Sequence, residues 1–444
     1  MYIPYPLQEI YTHNVVIKNS NEIVKNVKLL PTKDKQKLDK MQVSDNVEAC
    51  KKTIVLPGLI NLHAHLGYGE FKISSQNLFA WLKALLKNFN HRMDTDGFTL
   101  KTKRSANTFV RNAVFGGTTF IIDNSTIPDI SIDAYLENQV KGLVGFELFC
   151  SNFNFAEQYW QEKLPEIENL EQKIQSTGAK LELCLSPHAS YDVAPALWQK
   201  ALAWTIEKNQ QGANKLLLSH VAESEAEEEW FRDKDSPKAQ SAKDFWQSIA
   251  TLEPKLNQWK PHESSIDFLL KNQMLEYNSL SPILLTHLCY AREQDLQALV
   301  NLGIKACTCP RSNEYLKNKL PDIEKWIELN LNFGFGTDSM ASNEDTDMRK
   351  EASMYPALNA RQKLDKLTID AAKVLNREHE IGSLEAGKAL DYCVLEVLDD
   401  SIDIDAVCPI ELALDIKKTK VIETVIDGRI VYRADEQNIA KMES

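Results

Sequence analysis

The chain has 444 residues, 43% of them hydrophobic, and a formal net charge of −12, enough for one large barrel with additions or for two domains. An acidic balance without a long basic run argues against nucleic-acid backbone binding as the main task. No window approaches ~18 consecutive apolar residues, so no membrane span is expected.

Residues 1–57 open without the basic start and unbroken apolar stretch of a signal peptide, and carry strand-like runs such as Asn14-Val15-Val16-Ile17. From 58 to 383, short apolar runs alternate with helix-like stretches. Strands are predicted at 59–65, 118–123, 143–149, 180–186, 215–220, 282–287, 304–308 and 332–337. Strand–helix alternation implies a parallel sheet, and eight such units predict a (β/α)8 TIM barrel. Helical spacing is plainest at 79–86 and 198–206. The connection after Glu223 is far longer than a barrel needs. Its acidic run (Glu223, Glu225, Glu227, Glu228, Glu229) and its aromatics (Trp230, Phe245, Trp246, Trp259, Phe268) predict a helical insertion over about 224–280, either a lid or a solvated decoration. Residues 384–444 hold strands at 391–397 and 421–432, the latter broken by the hairpin signal Asp427-Gly428. The fold class is α/β: a barrel over 58–383, and a small β-sandwich domain built from 1–57 plus 384–444.

The eight cysteines are scattered and form no Cys-x-x-Cys pair, which fits a reducing, cytoplasmic setting. The nine histidines are more informative. His63 and His65 end the first barrel strand, and residues i and i+2 of a strand share a face. The apolar runs that follow end in His188, His220, His287 and Asp338. Core strands do not ordinarily end in histidine, and barrel chemistry sits at the C-terminal strand ends. His13, His91, His262 and His379 end no core strand and read as surface or satisfied histidines.

His63, His65, His220 and Asp338 together offer nitrogen and oxygen donors for one divalent metal, suiting Zn²⁺ first and Fe²⁺ second. Such a metal lowers the pKa of a water molecule and makes it nucleophilic. Glu223, three residues after His220, is placed to carry a proton to the leaving side of a substrate. His287 would orient the water, and Asp338 would accept its proton. His188 could ligate or touch substrate; with four ligands present, substrate contact is favoured. These parts suit hydrolytic attack on an sp² carbon with a poor leaving group. There is no Gly-x-Ser-x-Gly elbow, no phosphate loop and no His-x-Glu/Pro-Cys-x-x-Cys pattern.

The run Pro57-Gly58-Leu59-Ile60-Asn61-Leu62-His63-Ala64-His65 resembles the opening motif of the amidohydrolase superfamily. So do Ser219-His220-Val221-Ala222-Glu223-Ser224, Leu285-Thr286-His287, Cys309-Pro310-Arg311-Ser312-Asn313, Gly336-Thr337-Asp338-Ser339 and Gly382-Ser383-Leu384-Glu385-Ala386-Gly387. In this order they are similar to the branch of triazine chlorohydrolases and adenosine-type, guanine and aminofutalosine deaminases. The resemblance implies a mononuclear site with Glu223 as proton shuttle, and substrate contacts from His188, Arg311, Ser312 and Asn313. Glu70, in Gly67-Tyr68-Gly69-Glu70-Phe71, would hold a displaced substrate role. The implied activity is hydrolysis of a carbon–nitrogen bond other than a peptide: deamination of an adenine-bearing small molecule such as aminofutalosine, S-adenosylhomocysteine or methylthioadenosine. Guanine deamination, or chlorohydrolysis or N-dealkylation of a triazine-like ring, is the alternative. A homodimer is expected from base rates only.

Overall fold

The computed structural model describes residues 52–71, 73–90, 96–248, 261–275, 282–403 and 406–434. The strand expected at 14–17, the histidines at 13 and 91, and Trp259 lie outside the described residues.

Strand β1 (Thr53–Pro57) and strand β2 (Leu59–His65) are both buried throughout and separated by a single glycine. At Gly58 the chain leaves one sheet for another. A Cβ there would sit 2.1 Å from the Thr119 hydroxyl, so no other residue fits without displacing that side chain. From β2 the chain builds a parallel sheet in sequence order: β3 (Thr118–Ser125), β4 (Lys141–Leu148), β5 (Leu181–Pro187), β6 (Leu217–Val221), β7 (Ile283–His287), β8 (Lys305–Thr308) and β9 (Phe333–Phe335). Their residues are buried on both faces apart from the half-buried Glu182, and apolar side chains dominate, as in parallel barrel strands.

The final strand differs from the single run expected at 332–337. It is broken at Gly336-Thr337, and a two-residue strand β10 (Asp338–Ser339) follows. β9 pairs with β8, while β10 pairs with β2, so the eighth strand position touches both edges and closes the ring. The break has a steric cause. Gly336 packs against the backbone of His63, where a Cβ would lie 2.6 Å from His63 Cβ and 2.8 Å from His63 N. Thr337 N donates to His63 O at 3.0 Å, and Asn61 Nδ2 donates to Thr337 Oγ1 at 2.8 Å. The buried Asn61 thus ties the last strand to the first.

Helices α1 (Leu78–Asn90), α2 (Asp96–Phe115), α3 (Pro128–Asn138), α4 (Ala156–Thr177) and α5 (Pro195–Gln210) follow in chain order. The connection after β6 carries α6 (Glu225–Arg232), α7 (Gln240–Ser248) and α8 (Ser265–Lys271). Its acidic helix is not simply a solvated face: Glu227 and Glu228 are buried, and Trp230, Phe231, Phe245 and Trp246 pack inward with the main core.

Both ends of the described chain meet in a four-stranded antiparallel sheet of order β1-β11-β12-β13, with β11 (Tyr392–Val397), β12 (Thr419–Ile426) and β13 (Arg429–Arg433). The β12–β13 turn is Asp427-Gly428, both with positive φ, as a tight hairpin requires. Buried Lys141 on β4 fastens this sheet to the barrel, with Nζ 2.5 Å from Asp391 Oδ2 and 3.0 Å from Asp427 Oδ1.

Gly336→Ala should lower stability by about 1–3 kcal/mol, the usual penalty for overpacking, and depress the melting temperature measured by calorimetry. An unchanged melting temperature would contradict the close approach of Gly336 to His63.

Candidate active site

His63, His65, His220, His287 and Asp338 all sit at one mouth of the barrel, on β2, β6, β7 and β10. His63 and His65 point to the same side because their strand has period two. Nε2 of His63 and of His65 lie 3.8 and 3.7 Å from Asp338 Oδ1. His65 Nε2 is 3.1 Å from His220 Nε2. Three overlapping triads, His63–His65–Asp338, His63–His220–His287 and His65–Glu147–His220, each hold donor atoms within 4.8 Å of one another. Backbone strain accompanies the cluster: Asp338, His287 and Ala222 have φ of 59°, 79° and 53°. Non-glycine residues rarely adopt such angles, and they recur at functional sites.

The hydrogen bonds fix where the ring protons are. A carbonyl oxygen only accepts. His65 Nδ1 must therefore donate to Asn124 O at 2.8 Å, and His220 Nδ1 to His188 O at 2.6 Å. In a neutral imidazole that leaves Nε2 a bare lone pair. Burial keeps these rings neutral: it holds His63 and His220 well below the ordinary histidine pKa and His65 at about 4. Two lone pairs thus face each other at 3.1 Å, an arrangement that repels unless a cation lies between them. His63 Nε2 is buried and bonded to no described residue, while its Nδ1 accepts from Asn124 Nδ2 at 2.8 Å. Three neutral imidazole nitrogens and one carboxylate oxygen fit a divalent transition metal or zinc.

Neighbouring groups orient these donors. Ser312 Oγ donates to Asp338 Oδ2 at 2.5 Å, leaving Oδ1 toward the imidazoles. His287 Nδ1 donates to Asn313 Oδ1 at 2.8 Å, which turns Nε2 toward Glu223 Oε2 at 3.6 Å. Burial, reinforced by the charges of Asp338 and Glu227, raises the Glu223 pKa well above its ordinary value.

Beside this cluster lies a cavity of about 450 Å³ lined by His65, Glu147, His188, Glu223, His287 and Asp338, within the range of small-molecule pockets. Its far wall is apolar and aromatic, with Trp81 and Leu85 from α1, and Phe245 and Trp246 from α7. His188 Nδ1 is 2.5 Å from Asp192 Oδ2. Burial alone would strip its proton, but Asp192 lifts the pKa to about 9.

Not every residue expected at the substrate is brought here. Arg311 is engaged by Asp345 at 2.8 Å and Glu351 at 3.5 Å, and Ser312 and Asn313 hold Asp338 and His287 instead of lining the cavity. Glu70 is gripped on both oxygens by Arg104, outside the cavity. Sequence reasoning missed Asn124, Asp192 and Glu147. Glu147, near the end of β4, lies 3.8 Å from His65 Nδ1, accepts no hydrogen bond from a described residue, and is pushed by burial to about pKa 8. A glutamate inside the otherwise apolar run 143–149 was its one available signal.

Comparison with known proteins places the chain. The 5'-deoxyadenosine deaminase of Methanopyrus kandleri is 23% identical over 89% of this chain and 86% of its own. The Helicobacter pylori aminofutalosine deaminase, in complex with methylthio-coformycin, superposes with a TM-score of 0.66 at 21% identity, covering 85% of this chain and 86% of that one. A triazine hydrolase from Arthobacter aurescens gives 0.66 at 18% identity, covering 88% and 87%. At these identities the structural likeness establishes the fold and leaves the reaction open. The profile of the amidohydrolase family matches residues 54–431, and the chain belongs to that family.

Proposed function

We propose that this protein is a metal-dependent hydrolytic deaminase of an adenine-bearing small molecule. The observation that carries the reading is the meeting, on one cavity, of the facing Nε2 lone pairs of His65 and His220, the unpartnered Nε2 of His63 and Asp338 with a buried Glu223 whose pKa is raised. The deaminases among the relatives support the adenine-bearing substrate. His63, His65, His220 and Asp338 would hold the metal, with Zn²⁺ favoured over Fe²⁺ for a compact nitrogen-rich donor set.

Bound there, the metal supplies a Lewis acid that lets water attack at neutral pH. The rest of the work falls to side chains. Asp338, oriented by Ser312, takes the proton released as the water attacks. Glu223 gives its own proton to the ring nitrogen beside the attacked carbon, which makes that carbon electrophilic. A further proton passed through Glu223 or Asp338 to the amino group lets it leave as ammonia. His287, with Nε2 a bare acceptor, orients the attacking water. His188, held as imidazolium by Asp192, donates to an acceptor on the substrate. The apolar wall from α1 and α7 excludes bulk water and packs the flat ring. The seven described cysteines are all unpaired, which supports a reducing, cytoplasmic setting.

Ammonia release from adenosine, 5'-deoxyadenosine, methylthioadenosine, S-adenosylhomocysteine, aminofutalosine and guanine by zinc-loaded protein tests the reaction; silence across the panel removes the deaminase reading. Glu223→Gln should retain metal by elemental analysis yet lose about 10²–10⁴-fold in kcat. A wild-type rate would remove its proton role. The Asp192 pair raises the folded pKa of His188, so the imidazolium is present at lower pH and lost as pH rises through about 9. The kcat/KM profile should fall there, and Asp192→Asn should move that fall down toward the ordinary value of about 6.5. An unmoved limb would show that His188 does not set it.

A further inference from the structure

The insertion after β6 begins with a carboxylate that the reaction scheme above does not use. Glu227, on the first turn of α6, is fully buried. Its Oε2 accepts from the backbone N of Glu223 at 2.7 Å, and its Oε1 from the backbone N of Ala222 at 3.0 Å and from Ser190 Oγ at 2.7 Å. Ser224, the N-cap of α6, completes the motif by accepting from Glu227 N at 3.1 Å. An N3 glutamate usually reaches back to its own N-cap N–H. Here it reaches past the cap and takes the two N–H groups of the turn that carries Glu223.

That turn needs holding. Ala222 sits at φ 53°, a left-handed conformation that alanine resists. Its carbonyl is fixed from the other side by Tyr290 N at 2.9 Å, and Val221 O by Leu288 N at 3.0 Å. The turn reverses the chain immediately after β6, and so brings Glu223 to within 3.6 Å of His287. Two adjacent backbone N–H groups converging on one buried site call for an acceptor with two oxygens and no proton of its own. Glutamate meets that requirement, whereas glutamine would turn an N–H₂ toward at least one of them.

We infer that Glu227 is a positioning residue: its carboxylate clamps the Ala222–Glu223 turn and thereby aims Glu223 at the reacting atoms. The inference rests on the reading of Glu223 as proton carrier. It also gives the insertion a mechanical role. α7, which supplies Phe245 and Trp246 to the cavity wall, follows α6 in the same connection, so the wall that receives the ring and the clamp that aims the acid belong to one structural unit.

The test is a double-mutant cycle with the fastest nucleoside of the panel. Glu227→Gln should lower kcat by about 10²-fold, the usual effect of a misaimed catalytic group, with KM within about twofold and metal content unchanged. In a Glu223→Gln background the same substitution should change kcat less than about twofold, because the group it aims is already disabled. Ser190→Ala removes one donor to the clamp without touching the turn, and covers the case in which Glu227→Gln does not fold. It should give a smaller loss in kcat that also vanishes in the Glu223→Gln background. Losses that multiply, or a Glu227→Gln rate equal to wild type, would overturn the clamp. A wild-type rate for Glu223→Gln would instead overturn the proton role on which the clamp depends. A crystal structure of Glu227→Gln reads the outcome without turnover: Ala222 should leave positive φ, and an unmoved turn would refute the inference.

Discussion

Two imidazole nitrogens 3.1 Å apart, each with its ring proton committed to a backbone carbonyl on the far side, define this site. The carbonyls of Asn124 and His188 do more than satisfy His65 and His220: they select the tautomer, and the tautomer decides that Nε2 is a donor toward a cation. Burial excludes the alternative of protonating the rings, since it opposes the charged form in each of them. A cation is then the species that relieves the lone-pair repulsion. Metal binding follows from hydrogen bonds made behind the ligands.

Bringing those ligands together is a problem of closing a ring. Asp338 and the two histidines of β2 belong to opposite ends of the barrel sequence and meet because β10 pairs with β2. That pairing needs Gly336, whose missing side chain lets the last strand lie on His63, and Asn61, whose amide bonds Thr337. Positive φ angles also mark the strand ends at Asp338, His287 and Ala222. Each turns a strand end so that its side chain, or the next, faces the barrel axis. Such conformations are unfavourable alone and persist where surrounding bonds over-determine them. The clamp of Glu227 on the Ala222 turn is one such set of bonds.

The acidic helix shows how charge pattern and burial part company. In sequence Glu223 stands out as a proton carrier and Glu225, Glu227, Glu228 and Glu229 fit either a lid or a solvated face; three of the five are buried, each in a different role. Glu223 faces His287, Glu227 holds the turn, and Glu228 bonds Ser265 of α8 at 2.5 Å. Burial raises the pKa of all three, and in Glu227 the hydrogen bonds it accepts from Ser190 and from the backbone of Ala222 and Glu223 oppose that rise.

The sequence by itself determined the barrel, its strand order and the residues that end its strands, because strand period, strand–helix alternation and the rarity of histidine at strand ends are local properties. It reached His63, His65, His188, His220, Glu223, His287 and Asp338 for the same reason. Only the tertiary structure decided which donors bear protons, that Ser312 and Asn313 steer Asp338 and His287, that Arg311 and Glu70 are bound by their own ion-pair partners, and that Asn124, Asp192, Glu147 and Glu227 belong to the site. Those are contacts mostly between residues distant in the chain. Their identity depends on which backbone carbonyl or carboxylate lies within hydrogen-bond reach after the ring has closed, and no local pattern encodes that distance.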